Sequence, residues 1–195
     1  MKMSLNFISI PQGHSAEVAP PFRTLVRSNE TFEVWRKRNK FNDFFATVYS
    51  FRNPYDYNTA LVDKVFWDVD KFAGEALRLL NYYYSEYERV FVATGNNFHL
   101  YVAIEPLKEH KKPSLRNHIN EVEKETGIKC DPATRGNLAQ MGRVPGSINT
   151  KNGARCMFFN PLEWTYSTTP VVLKGKVLRL EVVEEFVDER WLSVR

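Results

Sequence analysis

Apolar and polar positions along the 195-residue chain change period repeatedly, and each change marks an element. Phe32 and Trp35 lie about a turn apart and predict a short helix from Asn29. Phe44 to Phe51 (FFATVYSF) is dense in aromatic and β-branched residues and predicts a strand, ended by Asn53-Pro54. A second apolar, β-prone run leads through Lys64-Val65-Phe66-Trp67 to Asp68 and Asp70. Phe72, Ala76, Leu79, Leu80, Tyr83 and Tyr87 then fall at helical spacing, with the tyrosines read as core. Val90–Thr94 and Phe98–Ile104 predict two strands joined through Thr94-Gly95-Asn96-Asn97, where Gly-Asn favours a tight bend. Pro113 opens a helix with Leu115, Ile119 and Val122 inward and Gly127 as its cap. His110 and His118 fall on or beside its polar side and read as solvated. Ile128–Asp131 reads as a short strand, followed by a short helix with Thr134 as N-cap. Arg143 to Ser147 is a turn. Strands near 155–159 and 177–180 and a final helix from Glu181, with Val182, Phe186 and Leu192 inward, complete the chain. Residues 11–21, with three prolines and a glycine, read as an irregular lead-in. Strands and helices therefore mix in an α+β pattern.

Composition narrows the class. With 43% hydrophobic and 14% aromatic residues, the chain can bury one sizeable core, so a single domain over 1–195 is expected. Lys and Arg number 27 against 23 acids, a net charge of +4 that permits a polyanionic partner. The cluster Arg36, Lys37, Arg38 and Lys40 reads as a solvated face, with a nucleic-acid contact as the alternative. No apolar run approaches the roughly 18 residues of a membrane span, and the N-terminus lacks the basic-then-apolar layout of a signal peptide, so the chain reads as intracellular (cytoplasmic), with no membrane partner. Two cysteines, Cys130 and Cys156, exclude a zinc site built from cysteines alone; they read as buried or idle thiols, a disulfide being the alternative.

Chemistry begins at Asp68 and Asp70. Residues i and i+2 of a strand share a face, and two anions held that close invite a divalent cation between them. Two solvated surface acids would look the same. His99 follows the Gly-Asn bend directly; taken alone it reads as a core histidine. Asp131, before Pro132, reads alone as a turn acid.

Taken together, three pieces resemble the signature motifs of the archaeo-eukaryotic primase superfamily, which includes the small primase subunit and the primase-polymerases. The first motif, two hydrophobic residues and Asp-x-Asp, is Phe66-Trp67-Asp68-Val69-Asp70. The second, a small or polar residue, any residue and His in a hairpin, is Asn97-Phe98-His99. The third, a hydrophobic residue and Asp followed by an Arg-Leu-Pro-Gly-Ser-Leu-His-x-Lys-Thr-Gly-like stretch, is Cys130-Asp131 and then Arg143-Val144-Pro145-Gly146-Ser147-Ile148-Asn149-Thr150-Lys151-Asn152-Gly153. The resemblance covers about residues 44–160, leaving 1–43 as an N-terminal extension and 161–195 as a C-terminal strand and helix. Asn149 stands where relatives commonly carry His, Asn96 and Asn97 stand where they often carry Arg, Lys or Ser, and the zinc ligands of many relatives are absent.

The resemblance implies an α+β catalytic core with an RRM-like mixed sheet, flanking helices and two small subdomains around an open active-site face. It implies a DNA primase or primase-polymerase, a nucleotidyltransferase that uses NTPs or dNTPs on a single-stranded DNA template and primer with two divalent metals. Asp68, Asp70 and Asp131 would be catalytic ligands of Mg²⁺ or Mn²⁺, with no zinc. Thr94, Asn97, His99, Arg143, Ser147 and Lys151 would bind the nucleotide, whose phosphates suit a turn's donors, a bidentate arginine and a lysine point charge. De novo priming needs an initiating nucleotide held beside the first, and the short stretch after residue 160 leaves little room for that, so an accessory primase subunit, a helicase or a further domain is expected. The alternative is a weakly active or inactive nucleotide- or nucleic-acid-binding subunit of a replication complex. A third possibility is a metal-dependent nuclease or a rolling-circle replication protein, since related folds serve both; the latter would need a His-x-His pair and a nucleophilic tyrosine, and no His-x-His occurs.

Overall fold

The computed structural model describes residues 9–19, 23–70, 74–107 and 113–180. Its elements are β1 (Ala16–Ala19), β2 (Thr24–Val26), α1 (Asn29–Arg38), β3 (Phe45–Thr47), β4 (Ser50–Phe51), β5 (Ala60–Val69), α2 (Gly74–Tyr83), β6 (Arg89–Ala93), β7 (Phe98–Leu107), α3 (Pro113–Thr126), β8 (Met141–Arg143), β9 (Ile148–Asn149), β10 (Ala154–Arg155), β11 (Met157–Asn160) and β12 (Thr165–Ser167). They build an α+β fold with a six-stranded sheet ordered β12-β11-β6-β7-β5-β4, a four-stranded sheet ordered β2-β1-β3-β8, and the small β9/β10 ribbon. All pairings between these strands are antiparallel.

Alternation along β5 decides what each face of the large sheet does. Phe66 and Asp68 face one way with His99 and Tyr101 of β7 opposite them, and the rings of Phe66, His99 and Tyr101 pack together. Trp67, Leu100 and Phe91 face the other way, in register across β5, β7 and β6. That second face is covered by helices: Trp67 Nε1 donates to the hydroxyl of Tyr84, just beyond α2, and the same hydroxyl bonds His118 Nε2 on α3 at 3.0 Å. The buried stripe of α2 is Leu77 and Leu80, continued by Tyr84, while Leu79 is 41% exposed. Helical period alone left the stripe a register off, because the helix stops at Tyr83 and Tyr87 lies past a turn. His118 is half-buried against Tyr84 rather than solvated, and burial lowers its pKa to about 4. Ser28 caps the N-terminus of α1, its hydroxyl accepting from the Thr31 N–H.

The aromatic strand expected over 44–51 is two strands in two sheets. β3 pairs with β1 and β8, and after Val48 and Tyr49 the chain enters the large sheet as β4. Lys64 and Tyr49 fasten the crossing: Lys64 Nζ pairs with Asp63 at 2.8 Å and donates to the Val48 carbonyl, and the Tyr49 hydroxyl donates to the Lys64 carbonyl. A bulge between Val62 and Lys64 interrupts the β5 ladder beside them.

Residues 128–131 form no strand, and no helix starts at Thr134. Thr134 instead closes a turn on the Asp131 carbonyl with both N–H and hydroxyl, and Gly136, at φ +66°, turns the chain out of helical conformation two residues later. Near 177–180 there are only isolated bridges, such as Leu178 to Ile104. Phe72, His110 and the final helix fall outside the described residues. Cys130 and Cys156 are both buried free thiols. No helix among the described residues is long and apolar enough to cross a membrane.

Candidate active site

A cleft of about 170 Å³ opens where the two sheets face each other. Asp68, Thr94, Asn97 and His99 enter it from the large sheet, Phe45, Met141 and Arg143 from the small one, and Asn149 and Lys151 from the turn that follows. Asp68 and His99 are direct cross-strand partners. The Asp68 carbonyl points away from β7, accepting the Asp131 N–H at 2.8 Å, so the pair is of the non-hydrogen-bonded type in which side chains approach most closely. This bond also places Asp131, on its loop, beside Asp68.

Asp70 and Asp131 therefore stand near Asp68 at one end of β5, but of the three only Asp68 lines the cleft. Burial above all, then the charges of Asp70 and Asp131, push the Asp68 pKa up to about 7. Asp68 Oδ1 is buried without a hydrogen bond. His99 Nε2 lies 3.6 Å away, but the contact is no ion pair at neutral pH, because burial drops the imidazole pKa to about 3 and leaves the ring uncharged. Its Nδ1 sits 3.3 Å from the Tyr101 hydroxyl. Asp70 lies just past the strand end, exposed, and accepts from Asn97 Nδ2 at 2.8 Å. Asp131 Oδ1 accepts from the Ala133 N–H. A buried carboxylate oxygen with no donor, in a carboxyl whose pKa is raised first by burial and then by two neighbouring acids, fits a hard divalent cation such as Mg²⁺ or Mn²⁺. Among the described residues, no three His, Cys, Asp or Glu side chains close on a single point.

The opposing wall carries the positive charge. Arg143, largely buried, lies over the Phe45 ring at 4.5 Å and pairs with Asp43. The third-motif turn docks onto the hairpin: Asn149 Nδ2 donates to the Thr94 carbonyl at 2.9 Å, and Gly95, at φ +103°, leaves no room for a Cβ beside Asn152. Thr94 spends its hydroxyl on the Asn97 carbonyl, and Ser147 is buried with its hydroxyl donating to the Val144 carbonyl within the turn. Ser147 thus holds the turn's shape and does not line the cleft, which Asp68, Thr94, Asn97, His99, Arg143 and Lys151 do.

Several contributors carry no motif. Phe45 and Met141 reach the cleft from strands whose pairing is long-range. Buried Glu123 of α3 accepts from the Cys130 N–H at 2.8 Å and pairs with Arg135 at 2.7 Å, which anchors the loop that presents Asp131. Of the cleft residues outside the predicted set, only Asn149 carries a sequence signal, as an asparagine in a histidine's place.

No protein-family model matches the chain, and no curated protein matches it in sequence. Solved structures do match. The AEP domain of the Cyanophage S-2L primase-polymerase superposes with a TM-score of 0.53 at 12% identity, over 85% of this chain and 84% of that one. The catalytic domain of primase RepB′, solved in complex with initiator DNA, superposes with a TM-score of 0.50 at 16% identity, over 74% of each chain. The chain shares its fold with these two domains.

Proposed function

We propose that the chain is a primase or primase-polymerase catalytic domain that transfers nucleotides from NTPs or dNTPs to a 3′-hydroxyl on a single-stranded DNA template. The observation that carries this reading is the cleft itself, with Asp68 paired to His99 on one wall and Arg143 with Lys151 on the other. An acidic wall suits metal ions and a basic wall suits the triphosphate they accompany.

Asp68, Asp70 and Asp131 would hold the divalent ions, which when bound neutralise phosphate charge and lower the pKa of an attacking hydroxyl. The protein's own groups have narrower tasks. Neutral His99 offers a ring nitrogen to a phosphate oxygen, donating without adding charge beside Asp68. Arg143 offers a guanidinium edge and Lys151 an exposed point charge. Asn97 holds Asp70 in place through its amide. Two relatives in fold, one a primase-polymerase domain and one a primase domain bound to initiator DNA, support the same reading.

The test is incubation with Mg²⁺ or Mn²⁺, labelled NTPs or dNTPs and single-stranded DNA, with and without an annealed primer. Metal-dependent extension that disappears in the double variant Asp68→Asn, Asp70→Asn is expected. Triphosphate binding without product would identify a binding subunit, shortened DNA a nuclease, and either would overturn the proposal.

A further inference from the structure

The basic wall is held by a residue outside every motif. One carboxylate oxygen of Asp43, just before β3, pairs with Nη1 of Arg143. The other oxygen accepts the Thr150 N–H at 3.3 Å and the Thr150 hydroxyl. Next to it, the Asn42 carbonyl accepts the Ile148 N–H at 3.1 Å. A single side chain thus joins the two ends of the segment that carries both cations, Arg143 at its start and Lys151 beyond Thr150. Arg143 also donates from Nη1 to the Ile148 carbonyl, so among the described residues its hydrogen bonds and ion pair all run through that nitrogen. The edge formed by Nε and Nη2, the edge that can chelate two phosphate oxygens, is left for a ligand.

We propose that Asp43 is a positioning residue for the triphosphate: it touches no substrate, but it fixes which edge of Arg143 is presented and clamps the Lys151 turn at the cleft. The inference rests on the nucleotidyl-transfer reading above. Its charge makes it testable. Asp43 is an anion behind the basic wall of the cleft, so by Coulomb's law alone its removal should tighten triphosphate binding. Positioning demands the opposite.

The experiment measures binding of ATP and dATP with Mg²⁺, without template, by calorimetry, beside thermal melts. Asp43→Asn keeps the shape and an acceptor for Thr150 but loses the ion pair; Thr150→Val keeps every charge and removes one tie. Asp43→Asn is expected to bind about tenfold more weakly, and Thr150→Val about threefold, the scale of losing a charged and a neutral hydrogen bond. KM in the extension assay should rise with kcat changed less, and Asp43→Glu should recover part of the affinity. Asp43→Asn binding as tightly as the wild type, or more tightly, overturns the proposal. If Asp43→Asn does not melt as a folded protein, Thr150→Val decides, and unchanged affinity there overturns it equally. A wild type that binds neither triphosphate overturns this inference and the proposed function together.

Discussion

Replacing Asp68 with asparagine should stabilise the metal-free fold while abolishing its activity. The carboxyl sits where burial, then Asp70 and Asp131, raise its pKa from 3.8 to about 7. At 1.36 kcal/mol for each pH unit, holding it ionised in the folded chain costs about 4 kcal/mol at most. Its side chain is 19% exposed, and water reaching that fraction offsets part of the cost, leaving about 2 kcal/mol for the amide to recover. For a chain of this size that is a rise in melting temperature of roughly 4–8 °C. The pH dependence has a definite sign. Because the folded-state pKa is the higher one, the unfolded chain gives up this proton first, so the penalty is nearly absent near pH 4, grows between about 4 and 7, and is complete above 7. Thermal melts of both proteins in chelator should therefore show the gain at about pH 8 and almost none near pH 4. Added Mg²⁺ should raise the melting temperature of the wild type and not of the variant. An asparagine variant that melts with or below the wild type at pH 8, or gains equally at pH 4, would refute the account of a strained acidic wall.

Two further outcomes follow from the same geometry. Gly95→Ala puts a side chain at φ +103°, while the Asn152 amide 2.5 Å away can swing aside, so denaturant unfolding should show a loss of about 1–3 kcal/mol from backbone strain; an unchanged midpoint would show that the bend does not need a glycine. Metal-dependent extension should rise with pH as Asp68 ionises, with a midpoint below its metal-free pKa of about 7 that falls further as Mg²⁺ concentration rises, while His99, with its pKa near 3, stays neutral throughout. His99→Gln should then lower the rate without moving that midpoint, and loss of the acidic limb in the variant would assign the titration to the histidine.

What the chain determines alone is what is local. Period-two alternation put Phe66 with Asp68 on one face and Trp67 on the other, the Gly95-Asn96 bend set the hairpin, and Pro113 with the stripe through Leu115, Ile119 and Val122 set α3, because each depends on neighbours a few residues away. The motif order also placed Asp68, Thr94, Asn97, His99, Arg143 and Lys151, which the fold brings around one cleft. Tertiary structure alone decided the rest. The register of β5 on β7 sets Asp68 opposite His99, the crossing at Val48 and Tyr49 divides one apparent strand between two sheets, Glu123 anchors the loop of Asp131, and Asp43 reaches Thr150 across 107 positions of sequence. Such partners leave no period or local spacing to read. They are selected by burial and by the need of each enclosed charge for a counterpart, and those conditions arise only when distant segments pack.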